Sequence, residues 1–155
     1  MKLLIAACVI SVSLFALQSG AAWAEDDEEM TGLKKLCAEK NDSACFRIGE
    51  KYRILERDNK TALEYYLKAC DTGHLDACTY AGILTAGKGR QYSPEWKKAA
   101  ELFKLTCDQN QEMGCFNLGA LKYKEGRQKA AIKYFKKACE LGHQTACSNL
   151  HNLEN

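Results

Sequence analysis

One proline, Pro94, interrupts the 155 residues, and no long glycine- or serine-rich linker divides them. Nothing therefore marks a boundary between separate domains, and the length suits one domain of ordinary size. Charge of one sign is also missing. The chain carries 22 basic and 20 acidic side chains, so it has no global field to attract nucleic acid. Lysines do gather at Lys97-Lys98 and from Lys133 to Lys137. They alternate with apolar residues at helical spacing and read as solvated helix faces.

Histidine is scarce: only His74, His143 and His151 occur. A zinc hydrolase needs a His/Asp/Cys cluster with an open coordination position, and three scattered histidines offer none. His74 and His143 stand at equivalent places just after a turn glycine, which suggests a structural role in the turn. His151, beside Asn149 on the final helix, reads as exposed. A serine enzyme of the Ser-x-x-Lys type is not indicated either. Ser43 leads to Phe46, Ser93 to Trp96 and Ser148 to His151. Gly87-Lys88-Gly89-Arg90 offers backbone N–H groups to an anion but lacks phosphate-loop spacing, so it reads as a turn. We expect no cofactor and no metal, and the residues nominate no catalytic group.

Cysteine, by contrast, is abundant and ordered. Eight of the nine form four pairs, each spaced by eight positions: Cys37 and Cys45, Cys70 and Cys78, Cys107 and Cys115, Cys139 and Cys147. The pairs recur at intervals of 33, 37 and 32 residues. A fixed gap inside a repeat of about 35 residues means one structural unit copied along the chain. Eight cysteines allow 105 pairings, but the repeat favours the one in which each unit closes its own loop. Each such loop stabilises by roughly 2.5 kcal/mol in the chain-entropy model. Zinc would prefer CxxC-type spacing and would need two pairs brought together. Redox catalysis favours pairs two residues apart. Structural disulfides fit best.

The ninth cysteine, Cys8, lies in a stretch that reads as a secretory signal over residues 1–24. Lys2 supplies the positive start, Leu3 to Leu17 the apolar region, and Ala22-Trp23-Ala24 the small-x-small cleavage site. The alternative, lipidation of Cys8, would leave only seven residues before it. The apolar stretch is too short to span a membrane comfortably, and acidic Glu25–Glu29 follow at once. The expected mature chain begins at Glu25 and is exported, to a periplasm or the extracellular space, where thiols persist as disulfides.

Within a unit the apolar period is helical. Ala62-Leu63, Tyr65-Tyr66-Leu67 and Ala69-Cys70 recur at three- and four-residue steps, as do Trp96, Ala99-Ala100, Leu102-Phe103, Leu105 and Ala130-Ala131-Ile132, Tyr134-Phe135, Ala138-Cys139. Ser93 is the expected N-cap of the second stripe, with Pro94 at the first helical position, and Asp58 that of the first. Each stripe ends at a break: Asp71-Thr72-Gly73, Asp108-Gln109-Asn110, Leu141-Gly142-His143. A second, shorter helix then starts near the second cysteine, at Phe46-Arg47-Ile48-Gly49, Thr79-Tyr80-Ala81-Gly82 and Phe116-Asn117-Leu118-Gly119. A glycine four residues past a cysteine, inside a helix, predicts close packing on a neighbouring helix. Helix pairs of this kind stack into a curved array with a concave groove. The expected fold is an all-α α/α solenoid of helix-turn-helix repeats stapled by disulfides.

Phe116-Asn117-Leu118-Gly119, the run Lys129-Ala130-Ala131-Ile132-Lys133-Tyr134-Phe135-Lys136-Lys137-Ala138-Cys139-Glu140-Leu141-Gly142, and Ala146-Cys147 resemble Sel1-like repeats, which are tetratricopeptide-like. With the cysteine spacing added, the chain is similar to the Helicobacter cysteine-rich protein family over residues 31–153. The resemblance implies a repeat domain over 25–155, with about three full units and a partial terminal one. The family's Gly-x-Gly inter-helix loop survives only as Gly87-Lys88-Gly89. The first and third units are shorter there, at Ile54-Leu55-Glu56-Arg57 and Glu125-Gly126-Arg127. The family is described as penicillin-binding with weak β-lactamase activity, and Sel1-like repeats more broadly as scaffolds for protein and peptide partners. The resemblance thus implies a β-lactam or muropeptide ligand, with weak β-lactam hydrolysis, or a non-catalytic groove for a protein or peptide. We expect a monomer. The shorter helices would line the groove with Arg47, Glu50 and Arg53, then Tyr80 and Ile83, then Asn117 and Tyr123, and finally Asn149. Arginine and asparagine there suit a ligand carboxylate.

Overall fold

The computed structural model describes residues 28–155. The expected signal segment 1–24, Cys8 and the expected mature start at Glu25 lie outside the described residues. Eight helices and no strands occur among them: α1 through residues 28–38, then α2 (Asp42–Ile54), α3 (Asn59–Asp71), α4 (Leu75–Lys88), α5 (Pro94–Asp108), α6 (Glu112–Lys124), α7 (Gln128–Glu140) and α8 (Gln144–Glu154). From α2 onward each helix packs on the next along the chain, and α4 also touches α6. This is the expected all-α solenoid. None of the helices is long and apolar enough to cross a membrane.

Four disulfides close the four hairpins: Cys37–Cys45 joins α1 to α2, Cys70–Cys78 α3 to α4, Cys107–Cys115 α5 to α6, and Cys139–Cys147 α7 to α8. Three residues past each first cysteine, the backbone turns through the left-handed region, at Lys40, Gly73, Asn110 and Gly142. Glycine supplies that conformation without steric cost and asparagine with little, whereas lysine is disfavoured there. The turns between hairpins repeat the device at Arg57, Tyr92 and Gly126.

Capping follows the units. Asp58 Oδ1 accepts from the Lys60 and Thr61 amides, and Ser93 caps α5 ahead of Pro94. Asn41 Oδ1 accepts from the Ala44 amide at 2.9 Å. His74 and His143 do the same through Nδ1, from Ala77 and Ala146 at 3.3 and 3.2 Å. Their rings also stack on the preceding unit, His74 on Phe46 at 4.3 Å and His143 on Phe116 at 4.2 Å between centroids. The turn histidines therefore join units as well as starting helices. At the middle junction Thr79 and Gln111 hold these two places, and a 3.1 Å hydrogen bond from Thr79 Oγ1 to Gln111 Oε1 replaces the stack.

The core lies where units meet. Tyr66, Phe103 and Phe135, four residues before the first cysteine of their units, pack against Gly49, Gly82 and Gly119 on the preceding helix. A β-carbon on any of these glycines would come within 2.6–2.8 Å of the ring, so a larger residue would push the hairpins apart. Two expectations change. The second helix is not uniformly the shorter: α4 has 14 residues against 13 in α3. Nor is Gly87-Lys88-Gly89 a turn. Gly87 and Lys88 finish α4 and Gly89 is its C-cap, because Thr85, one turn earlier, is buried and the helix continues to pack.

Candidate binding groove

The contact between α4 and α6 marks the inner side of the solenoid, where alternate helices approach. The eight expected groove residues fall into three groups.

The first group is engaged internally. Arg47 is exposed and pairs with Glu29 on α1. Arg53 binds Glu50 in a two-pronged arrangement, Nε to Oε1 at 3.1 Å and Nη2 to Oε2 at 2.9 Å. The Tyr66 hydroxyl donates to the same carboxylate. Burial raises the Glu50 pKa, but the hydrogen bonds from Arg53 and Tyr66 outweigh it and hold the group below the usual carboxylate range. Arg53 also lies over the Tyr80 ring at 5.1 Å, and Tyr80 stacks on Tyr66. This end of the face is closed by its own charges and rings.

The second group is open. Ile83 and Asn117 line a recess of about 230 Å³ between α4, α5 and α6. Phe103 and Leu121 form apolar walls, Gly87 borders it, and Trp96 and Lys124 complete the lining. The Lys124 ammonium lies 5.9 Å from the Trp96 ring centroid. Trp96 is held from behind: its Nε1 donates to Glu125 at 3.0 Å. Glu125 also takes Lys122 at 2.9 Å. Burial raises the Glu125 pKa, yet the bonds from Lys122 and Trp96 bring it below its ordinary value. The longer loop after α4 braces the same corner, Gln91 Nε2 donating to the Lys124 carbonyl and Tyr92 to that of Glu125.

Tyr123 and Asn149 form the third group, in a recess of about 190 Å³ with Phe135, Asn152 and Leu153. It repeats the second recess one unit later. Asn149 occupies the place of Asn117, two residues past a second cysteine, and Phe135 and Leu153 those of Phe103 and Leu121. Sequence reasoning missed Trp96 and Lys124, because Trp96 was absorbed into a helical stripe and Lys124 stands one residue past Tyr123, the last groove position expected on α6.

The clustered lysines sit elsewhere. Lys104, Lys133 and Lys137 line a recess between α5 and α7, where Lys137 donates to the Cys107 carbonyl at 2.7 Å. The three described serines are engaged locally: Ser43 with Asp42, Ser93 as a cap, Ser148 with the Gln144 carbonyl. No three His, Cys, Asp or Glu residues among those described are placed to hold a metal ion.

Residues 42–74 and 113–143 match the Sel1 repeat. These segments are Sel1 repeats. The solenoid is similar to the solved structure of Helicobacter pylori cysteine rich protein B, with 26% identity and a TM-score of 0.57 over 80% of this chain and 93% of that one. A protective antigen of uropathogenic Escherichia coli with an SLR fold shares the architecture, at TM-score 0.70 and 22% identity over 80% of this chain and 28% of that one. Cytochrome c oxidase assembly factor 7 of Xenopus tropicalis is 30% identical over 142 residues, covering 81% of this chain. The chain spans 61% of the length of that relative and of its Xenopus laevis counterpart.

Proposed function

We propose that the protein is an exported, non-catalytic scaffold that holds a protein or peptide partner on the inner face formed by α2, α4, α6 and α8. The open recess between α4, α5 and α6 carries this reading. It is apolar at the walls, it has polar groups at Asn117 and Lys124, and the partly buried Glu125 fixes its tryptophan. Sel1 repeats usually mediate protein interactions, and a relative named as an assembly factor supports a holding role over a catalytic one. Export rests on the signal-like residues 1–24 and on four disulfides that persist best in an oxidising compartment.

Gly87 provides the test. It borders the recess, and a β-carbon built there meets nothing within 4 Å, so Gly87→Trp should obstruct the mouth while leaving the core intact. An array of capped twelve-residue peptides, probed with labelled oxidised protein, should show binding that this substitution abolishes at unchanged Tm. Binding unaffected by it would remove the recess. Steady hydrolysis of a chromogenic cephalosporin, lost on reduction and alkylation, would replace the scaffold with an enzyme.

A further inference from the structure

The two open recesses are copies of one another, and their repetition says what kind of ligand fits. Each has an aromatic floor, Phe103 or Phe135, an aliphatic wall, Leu121 or Leu153, and an asparagine, Asn117 or Asn149. Their volumes, about 230 and 190 Å³, exceed the ~150 Å³ that accommodates a benzene-sized group. Each therefore has room for one large apolar side chain.

The spacing restricts the ligand's conformation. Helices in contact, as α4 and α6 are, lie roughly 8–10 Å apart, so recesses one unit apart are separated by about that distance. A β-strand returns a side chain to the same face after ~7 or ~14 Å, which misses it. A polyproline-II segment returns one every three residues, after about 9 Å. A helix would match at a spacing of seven residues, ~10.5 Å, but its main chain is satisfied internally and would leave the asparagines idle. Asn117 Nδ2 donates to the Met113 carbonyl, leaving Oδ1 to accept. The Asn149 amide has no side-chain hydrogen bond among the described residues. An extended main chain supplies the donors and acceptors that these amides lack.

Charge gives the last feature. Glu125, the carboxylate nearest Trp96, is occupied by Lys122 and the indole. Lys124, on the Trp96 ring, has no acidic partner among the described residues.

We propose that the two recesses form one composite site for an extended, polyproline-II-like segment of a partner protein. Two apolar side chains three residues apart fill the recesses, Asn117 and Asn149 bind the main chain, and an adjacent acidic side chain meets Lys124. This deepens the scaffold reading and rests on it.

The probe is a set of fluorescein-labelled, capped peptides with two leucines spaced by two, three, four or seven residues, each made with glutamate or lysine beside the first leucine. Anisotropy with the oxidised protein should show tightest binding at a spacing of three, and glutamate above lysine. Lys124→Gln should erase the glutamate preference. Asn117→Ala with Asn149→Ala should weaken the best peptide about tenfold at unchanged Tm. A best spacing of seven with no asparagine effect would make the ligand helical and overturn the proposal. Binding without preference for spacing or charge, yet still abolished by Gly87→Trp, would overturn it while sparing the scaffold. If no peptide binds, or Gly87→Trp changes nothing, the scaffold reading itself fails.

Discussion

Thr106 and Gly114 face each other across the α5–α6 hairpin, and a β-carbon on Gly114 would lie 2.0 Å from Thr106 Oγ1. The residue before each second cysteine is Ala44, Ala77, Gly114 or Ala146, and the residue before the first is Leu36, Ala69, Thr106 or Ala138. The third unit thus enlarges one member of a close pair and shrinks the other. Thr106 is fully buried and donates to the Phe103 carbonyl at 3.2 Å, so it cannot swing away cheaply. Gly114→Ala alone should cost about 1–3 kcal/mol by overpacking. Adding Thr106→Ala recreates the alanine pairs of the second and fourth units and should recover most of that loss. Urea unfolding of the two single variants and the double variant checks this. Simple additivity would show that the residues do not constrain one another.

The hairpin turns supply a stabilising change. Lys40 adopts φ 65° where Gly73 and Gly142 stand in other units. Its side chain is exposed, so removing it costs little packing. Lys40→Gly should raise stability by roughly 1 kcal/mol, and Gly73→Ala should lower it by a similar amount. Thermal unfolding of each variant measures the pair. A drop in Tm for Lys40→Gly would mean that the lysine makes a contact outweighing its backbone strain.

Much of this organisation was legible because it is local or periodic. The cysteine rhythm, the helical stripes, the Asp58 and Ser93 caps and the close-packing glycines all lie within windows of a few residues. Partners across unit boundaries were not legible. Nothing near Gly49 announces that Tyr66 will cover it, nor anything near Glu50 that both Arg53 and the Tyr66 hydroxyl will occupy it. Arg47 and Arg53 looked like a carboxylate clasp because sequence shows a cation but not its counter-ion. Gly87 and Gly89 looked like a turn because glycine lowers helix propensity, while the packing that keeps α4 intact through Lys88 comes from adjacent helices.

Acid should loosen the solenoid at two known places. Glu50 and Glu125 are both held below their usual pKa, against the pull of burial, by bonds from Arg53 and Tyr66 and from Lys122 and Trp96. A depressed folded-state pKa means that the unfolded chain binds protons first as pH falls. The stabilisation is therefore complete above the unfolded value of about 4.3 and is lost as pH drops through the lower folded values. Tm should be level above about pH 5 and fall below about pH 4. Glu125→Gln should flatten part of that slope and shift Trp96 fluorescence. An unchanged slope in the Glu125→Gln and Glu50→Gln variants would assign acid sensitivity to other carboxylates.

The four disulfides should open in an order set by exposure. Cys107 and Cys115 are buried, at 1% and 0%, whereas Cys139 and Cys147 are both partly exposed. A thiolate must reach sulfur to exchange, so graded reduction followed by alkylation and mass spectrometry should label Cys139 and Cys147 first and Cys107 and Cys115 late. Each opened loop removes roughly 2.5 kcal/mol. Because a solenoid's units touch only their neighbours, the first loss should loosen α8 and with it the recess at Asn149. The Glu50–Arg53–Tyr66 network, three helices and more away, should remain. Simultaneous labelling of all eight cysteines would instead show that the array opens as one cooperative unit, with its junction contacts stronger than the hairpins they join.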